Sequence, residues 1–226
     1  MKLFLESASL DEIKEIGDYG LIDGVITDPQ LIAKEVEKGT TTDQVINSIA
    51  KIMNGEVHVQ IIGREYEDII AQAMKVYSLG MNMIIKIPAT FQGFKAMKYL
   101  KEKNVRTSAV SIYNYLQAIM ATQNHADYLA IKATQPDSAG NNDGTFALNV
   151  NNMIRKYGVT TKVIICNLTS PNEVMNAGIS GIEGLSVPYR LMKQLGDHLQ
   201  TEKDVDQFIS TWSSMPEASR TFFIKK

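Results

Sequence analysis

The sequence predicts a single (β/α)₈ barrel, a closed parallel sheet inside a ring of helices. Short β-type runs alternate with helical patterns from one end of the chain to the other. No Pro/Ser-rich linker divides the 226 residues. Eight strand–helix units fit in roughly 190 residues, leaving the short connections that a minimal barrel needs.

The elements follow in order. Lys2 to Glu6 reads as the first strand. Ser9 starts a helix, with Glu12 three residues on predicting a capping box. Ile22 to Ile26 is a second strand, followed by helices from Pro29 and from about Thr42. Val57 to Ile62 is a third strand and Glu65 to Ser78 a helix. Met83 to Ile87 is a fourth, with a helix running through Gly93 and Leu100. A fifth lies near Thr107 to Ser111, with a helix from about Tyr113. Asp127 to Lys132 is a sixth. A polar loop from Gln135 to Gly144 precedes a helix that ends near Lys156. Lys162 to Asn167 is a seventh strand, with a helix from Pro171. Gly181 to Val187 is the eighth. Two helical stretches close the chain near Trp212, and a helical tail is expected over about 201–226. Strands separated by helices imply parallel pairing through right-handed crossovers. A doubly wound open sheet is the competing architecture. It would expect a Gly-rich first turn, and the first strand ends instead in ESAS.

Composition narrows the function. Apolar residues make up 44% of the chain, enough for a large core, and the formal net charge is −2. No long basic run points to nucleic acid or to an anionic membrane. No apolar run is long enough to span a bilayer, and the start of the chain lacks a signal-peptide core. Cys166 is the one cysteine, so no internal disulfide forms and a reducing, cytoplasmic setting is expected. No His/carboxylate cluster at ligand spacing suggests a metal, and no phosphate-loop or dinucleotide fingerprint suggests a cofactor. Met97, Met120, Met153 and Met175 fall on predicted helices, where core filling is the expected role.

In such barrels the chemistry sits at the C-terminal ends of the strands, on side chains facing the axis. Alternation along a strand therefore proposes a face. Phe4 and Glu6 share one, as do His58 and Gln60, Ile84 and Lys86, Ala130 and Lys132, and Ile165 and Asn167. In each case the opposite face is wholly apolar and suits the helix layer. Glu6, Gln60, Lys86, Lys132 and Asn167 then converge at one mouth, joined by Asp28 just past the second strand. Lys86 interrupts a run of Met and Ile, and a lysine is rarely buried without a partner or a task. Desolvation and a neighbouring cation, for which Lys132 is the candidate, would lower its pKa and free an amine to attack a carbonyl. Glu6 or Asp28 would move the protons. A second reading stays open, in which Glu6–Lys86 and Asp28–Lys132 are internal ion pairs of a structural network. His58 is expected deep in the barrel, as a hydrogen-bonded core histidine.

The segments MKLFLESASLDEIKE, DGVITDPQLIAKE and IIKIPATFQGFKAMKYLK resemble the small transaldolase and fructose-6-phosphate aldolase family, and SIYNYLQAIMA, ADYLA and SVPYRLMKQL continue the likeness. The resemblance covers essentially the whole chain. It implies a metal-free class I aldolase-like barrel enzyme that transfers or cleaves a dihydroxyacetone unit, with Lys86 as the Schiff-base lysine. It also implies a small carbonyl or sugar substrate and a homo-oligomer, pentameric or decameric.

The departures from the family pattern lie at the site. Glu6 stands in place of an Asp, lengthening the acid/base by one methylene, and Ile26 in place of a Thr. Asp28 replaces an Asn that binds sugar hydroxyls. Val110 replaces a Thr and Lys132 an aromatic residue near the family's catalytic water, while Gln60 is kept. Gln135 replaces a phosphate-binding Arg, Asn167 a phosphate-binding Ser, and Thr169 a nearby basic residue. Losing an Arg–phosphate contact costs roughly 2–3 kcal/mol. The resemblance therefore implies a Schiff-base enzyme with weakened phosphate binding, or a degenerate relative that keeps the barrel as a binding or structural protein.

Overall fold

A computed structural model describes residues 1–133 and 145–220. Eight parallel strands close on themselves in sequence order: β1 (Lys2–Glu6), β2 (Gly24–Ile26), β3 (Glu56–Gln60), β4 (Met83–Pro88), β5 (Thr107–Val110), β6 (Tyr128–Lys132), β7 (Lys162–Cys166) and β8 (Gly184–Pro188). β1 pairs with β8 from Lys2↔Gly184 to Glu6↔Pro188, which excludes the open sheet. Between them run α1 (Leu10–Asp18), α2 (Pro29–Val36), α3 (Thr42–Ile52), α4 (Tyr66–Tyr77), α5 (Phe91–Glu102), α6 (Tyr115–Gln123), α7 (Phe146–Lys156) and α8 (Pro171–Ile179). α9 (Tyr189–Leu195) and α10 (Leu199–Ser214) follow. The chain forms two compact units, Met1–Met192 with the barrel and Lys193–Lys226 with α10. Phe222 and Phe223, like the predicted loop at Gln135 to Gly144, lie outside the described residues.

The two apolar faces of the strands build two cores. Leu5, Val25, Val57, Val59, Met83, Ile85, Ile87, Leu129, Ile131, Val163, Ile165, Leu185 and Val187 pack against the helices, including Met97 of α5, which is fully buried. Phe4, Ile26, Ile84, Tyr128 and Ile164 fill the axis, with Cys166 packed on them. Met120 and Met153 join the outer core at its edge, but Met175 is exposed, because α8 turns that side to solvent. Gly24 has no alternative: a Cβ there would lie 2.1 Å from the Glu56 carbonyl oxygen on the paired strand.

Tilted strands place side chains from alternate strands at one height. With the stagger this fold requires, the registers set Phe4, His58, Ser108 and Ile164 in one tier. Ile26, Lys86, Ala130 and Ser186 form the tier above, and Glu6, Gln60, Val110 and Cys166 the tier at the mouth. The Phe4 and His58 rings meet edge-on with centroids 5.0 Å apart, as tier-mates should.

Two local expectations need correction. Ser9 is the N-cap of α1 but makes no side-chain cap bond. Ser7 intervenes: its hydroxyl donates to the Glu12 carboxylate and accepts from the Ser9 amide, so the capping box does not form. In β7 the inward face is Ile164 and Cys166, not Ile165 and Asn167. The strand ends at Cys166, and Asn167 takes a left-handed backbone (φ 57°), a conformation asparagine tolerates. Alternation cannot be extended through such a residue.

The lower end of the barrel is closed by charge. Glu56 binds Lys2 at 2.8 Å and Arg106 at 2.6 Å, and accepts from the Tyr128 hydroxyl at 2.8 Å. Burial opposes its charge, but these contacts and the nearby His58 outweigh it and hold the carboxyl well below its ordinary range. His58 is fully buried, and desolvation pulls its pKa down from 6.5 to about 4, against the opposing pull of Glu56. A neutral buried imidazole makes stability depend on pH. The unfolded chain binds a proton that the folded chain refuses, so the stability is complete above about pH 6.5 and is lost as pH falls toward 4, to the extent of about 3 kcal/mol. Thermal unfolding from pH 7.5 to 4 should show a falling Tm, with His58→Phe flattening the part of the curve between pH 6.5 and 4.

Candidate active site

Lys86 is carried inward by β4, with Met83, Ile85 and Ile87 of the same strand buried on the opposite face. Gln60 and Ser108 flank it in register on β3 and β5. Only 6% of Lys86 is exposed. Its Nζ donates to the Thr27 carbonyl at 2.6 Å. Burial lowers its pKa from 10.5, against the opposing pull of Cys166, Asp28 and Glu6. Among the described residues no ion pair holds the amine. That argues against the Glu6–Lys86 pair of the structural-network reading. The partner Lys86 does have is a backbone carbonyl, which accepts from a neutral amine as well as from an ammonium.

Glu6 ends β1 in the tier above. Ser186 of β8, itself fully buried, donates to its Oε2 at 2.9 Å. Burial raises the Glu6 pKa, while Ser186, the Lys86 charge and the Asn167 backbone amide resist the rise. A carboxyl pushed up and an amine pushed down thus act on one another through their charges without a direct bond, an arrangement suited to proton transfer.

The remaining predicted residues sit as follows. Gln60 is partly exposed in the mouth tier. Asp28 is the N-cap of α2, its Oδ1 accepting from the Leu31 amide at 2.8 Å. That cap, rather than a lysine, holds it in place, and the expected Asp28–Lys132 pair is not formed. Lys132 is exposed at the end of β6 and is not among the groups acting on Lys86. Burial, not a second cation, depresses the amine, because Lys132 stands two residues beyond Ala130 on β6, at the exposed end of the strand. Asn167 is exposed, and it is its backbone amide that touches the site. Gln135 lies outside the described residues. Four site groups escaped the sequence reading: Ser186, Ser108, Cys166 and the Thr27 carbonyl. The first was legible, since Gly184, Ser186 and Pro188 alternate with Leu185 and Val187. Cys166 was hidden by the assumption that the polar residue faces inward. A backbone carbonyl leaves no residue-type signal.

The description Transaldolase/Fructose-6-phosphate aldolase belongs to the family model that matches residues 3–223. The chain belongs to this family. Curated relatives agree in length and extent. A probable transaldolase of Coprothermobacter proteolyticus is 31% identical over 96% of this chain and 98% of its own. That of Thermoplasma volcanium is 30% identical over 95% of this chain and 96% of its own. That of Desulfotalea psychrophila is 31% identical over 94% and 98%. Family membership places this transaldolase/aldolase-family chain among enzymes of the aldolase and transaldolase kind. Among the described residues no group of three or more His, Cys, Asp or Glu side chains is placed to hold a metal. No described helix is long and apolar enough to cross a membrane.

Proposed function

We propose that this chain is a class I aldolase or transaldolase that forms a Schiff base between Lys86 and a ketose or hydroxyketone. The observation that carries the reading is the Lys86 amine: inward-facing, desolvated, paired with no acid among the described residues, and bonded at 2.6 Å to the Thr27 carbonyl. A free amine is the nucleophile such chemistry needs. The nitrogen lone pair attacks the substrate carbonyl carbon and the carbonyl π electrons move to oxygen. Proton transfer from nitrogen to oxygen gives the carbinolamine. Glu6 in its acid form then protonates the departing hydroxyl, water leaves, and a protonated imine remains. Glu6, now a carboxylate, can take the proton whose removal drives carbon–carbon cleavage. Thr27 would accept from the imine N–H, and Gln60 would hold a water at the mouth.

The substrate is proposed to be a hydroxyketone held with weakened phosphate binding. Asp28 and Glu6 act on one another and on Lys86, so two carboxylates face the space a donor would occupy. Asn167 offers an uncharged amide where the resemblance implies a phosphate ligand. In this reading Asp28 and Asn167 bind hydroxyls, and Lys132 and Gln135 lie at the outer edge of the substrate. The charges of the mouth favour unphosphorylated over phosphorylated ketoses. The reading as a degenerate scaffold has less support, since neither internal ion pair it needs is formed.

Borohydride reduction in the presence of dihydroxyacetone, and separately of fructose 6-phosphate, tests both parts. The expected result is an adduct on the peptide bearing Lys86, with a larger fraction of the protein modified by dihydroxyacetone at equal concentration. Failure of a broad set of ketones and aldehydes to modify Lys86 would sink the proposal. Equal or stronger trapping by the phosphorylated ketose would sink its specificity half.

A further inference from the structure

Two buried polar side chains lie directly below Lys86 without a hydrogen-bond partner among the described residues. His58 and Ser108 are both 0% exposed, and neither ring nitrogen of His58 nor the Ser108 hydroxyl makes a hydrogen bond. They come from β3 and β5, the strands on either side of Lys86, and the registers place both in the tier beneath it. Buried polar groups left unpaired are costly, and proteins satisfy them with internal water where space and two to four polar partners exist. Both tiers carry small side chains beside the amine. Ser108 stands in the lower one, and Ala130 and Ser186 are the small neighbours of Lys86 in its own. Ala130 is partly exposed, so solvent reaches that level from the mouth.

We propose that Ser108 and His58 are positioning residues for Lys86, holding between them an internal water that hydrogen-bonds the amine from below. The imidazole fixes the geometry. Its Nε2 faces Glu56 Oε2 at 3.7 Å, which favours the proton on that nitrogen and leaves Nδ1 as an acceptor. The water donates to Nδ1 and to the Ser108 oxygen and accepts an N–H from Lys86. The neutral amine then has one N–H on the Thr27 carbonyl and the other on the water, so its lone pair is aimed at the mouth, where a carbonyl carbon would arrive. The catalytic meaning of this floor rests on the Schiff-base reading, but the floor itself can be tested without any substrate.

The water also favours the charged amine, because an ammonium donates to it more strongly. The charged and titratable groups around Lys86 are Glu6 on β1, Asp28 after β2, His58 on β3 and Cys166 on β7. β5 and β8 present the hydroxyls of Ser108 and Ser186. Around His58 they are Glu56, Arg106 and Lys86, with the Tyr128 ring 5.1 Å away. Ser108→Ala leaves all of these charges in place and removes only the hydroxyl.

The test is a pH titration of the Lys86 side chain by NMR in the full-length protein labelled at lysine, with the resonance assigned by its loss in Lys86→Met. Ser108→Ala should move the Lys86 titration to lower pH by about half to one unit, the scale of one hydrogen bond's preference for the charged form. Ser108→Thr should keep the parent value. Ser108→Cys, close in shape but a poor hydrogen-bond partner, should follow the alanine variant, which covers the case of an unstable Ser108→Ala. A high-resolution crystal structure should show a water within hydrogen-bond distance of Ser108 Oγ and His58 Nδ1. An unmoved Lys86 titration in folded alanine and cysteine variants overturns the proposal, as does density that places no water there. If the titration moves but no ketone is ever trapped on Lys86, the floor stands and the aldolase reading falls. If trapping succeeds and the titration does not move, the reverse holds.

Discussion

Lys86→Met is expected to abolish borohydride trapping and to lower any aldol cleavage or transfer by about 10³-fold or more, the scale on which loss of a nucleophile falls. Methionine keeps the apolar stem of lysine and ends one atom short of it, and the site is already dry, since Lys86 is only 6% exposed. The substitution removes a group whose charge burial disfavours, so the folded state should lose little. The Thr27 carbonyl is left without the amine, which costs about 1 kcal/mol. Chemistry should therefore collapse while the thermal midpoint shifts only slightly. If trapping survives at another lysine, or turnover persists at parental rates, Lys86 is not the nucleophile. If the protein unfolds instead, Lys86→Arg gives a second reading, because it keeps a cation in the lumen but cannot offer a free amine at any working pH.

Glu6→Gln should cost about 10²- to 10⁴-fold in kcat, the range for a lost general acid/base. The direction of its pH effects follows from the environment. Burial raises the Glu6 pKa, so the folded state disfavours the carboxylate relative to the unfolded chain. Its ionisation therefore costs stability above the ordinary carboxylate value of 4.5, and the neutral amide should leave Tm at pH 7.5 unchanged or higher. Ser186 can still donate to the amide oxygen in place of the carboxylate. Glu6 also raises the pKa of Lys86 through its charge. Removing that charge should move the acid limb of Lys86 trapping to lower pH even as turnover falls. A structural role for Glu6 would give the opposite pattern, with Tm and activity dropping together. Glu6→Asp tests reach instead of charge. It shortens the side chain by one methylene, and a gain in turnover would show that the extra length in this chain slows proton transfer.

The sequence alone determined the closed barrel, because eight strand–helix units with short connections leave few ways to bury sixteen apolar faces. It also determined the inward aim of Glu6, His58 and Lys86, because alternation is strict inside a strand and the opposite faces are uniformly apolar. Alternation failed where strands end. Asn167 looked inward by counting, but a left-handed backbone after Cys166 breaks the count, and only the folded chain shows where β7 stops. Nor does counting measure depth. Lys132 has the same parity as Tyr128, yet it lies beyond the dry lumen, so it cannot be the cation that tunes Lys86.

Three things were decided by tertiary structure. The Thr27 carbonyl reached Lys86 across 59 residues of chain, and Ser186 reached Glu6 across 180. His58 and Ser108 met beneath the amine because strand stagger, a property of barrel closure, sets which residues share a height. Local sequence fixes which way a side chain points. What that side chain meets there depends on the register of strands far apart in the chain, and that register exists only once the sheet has closed.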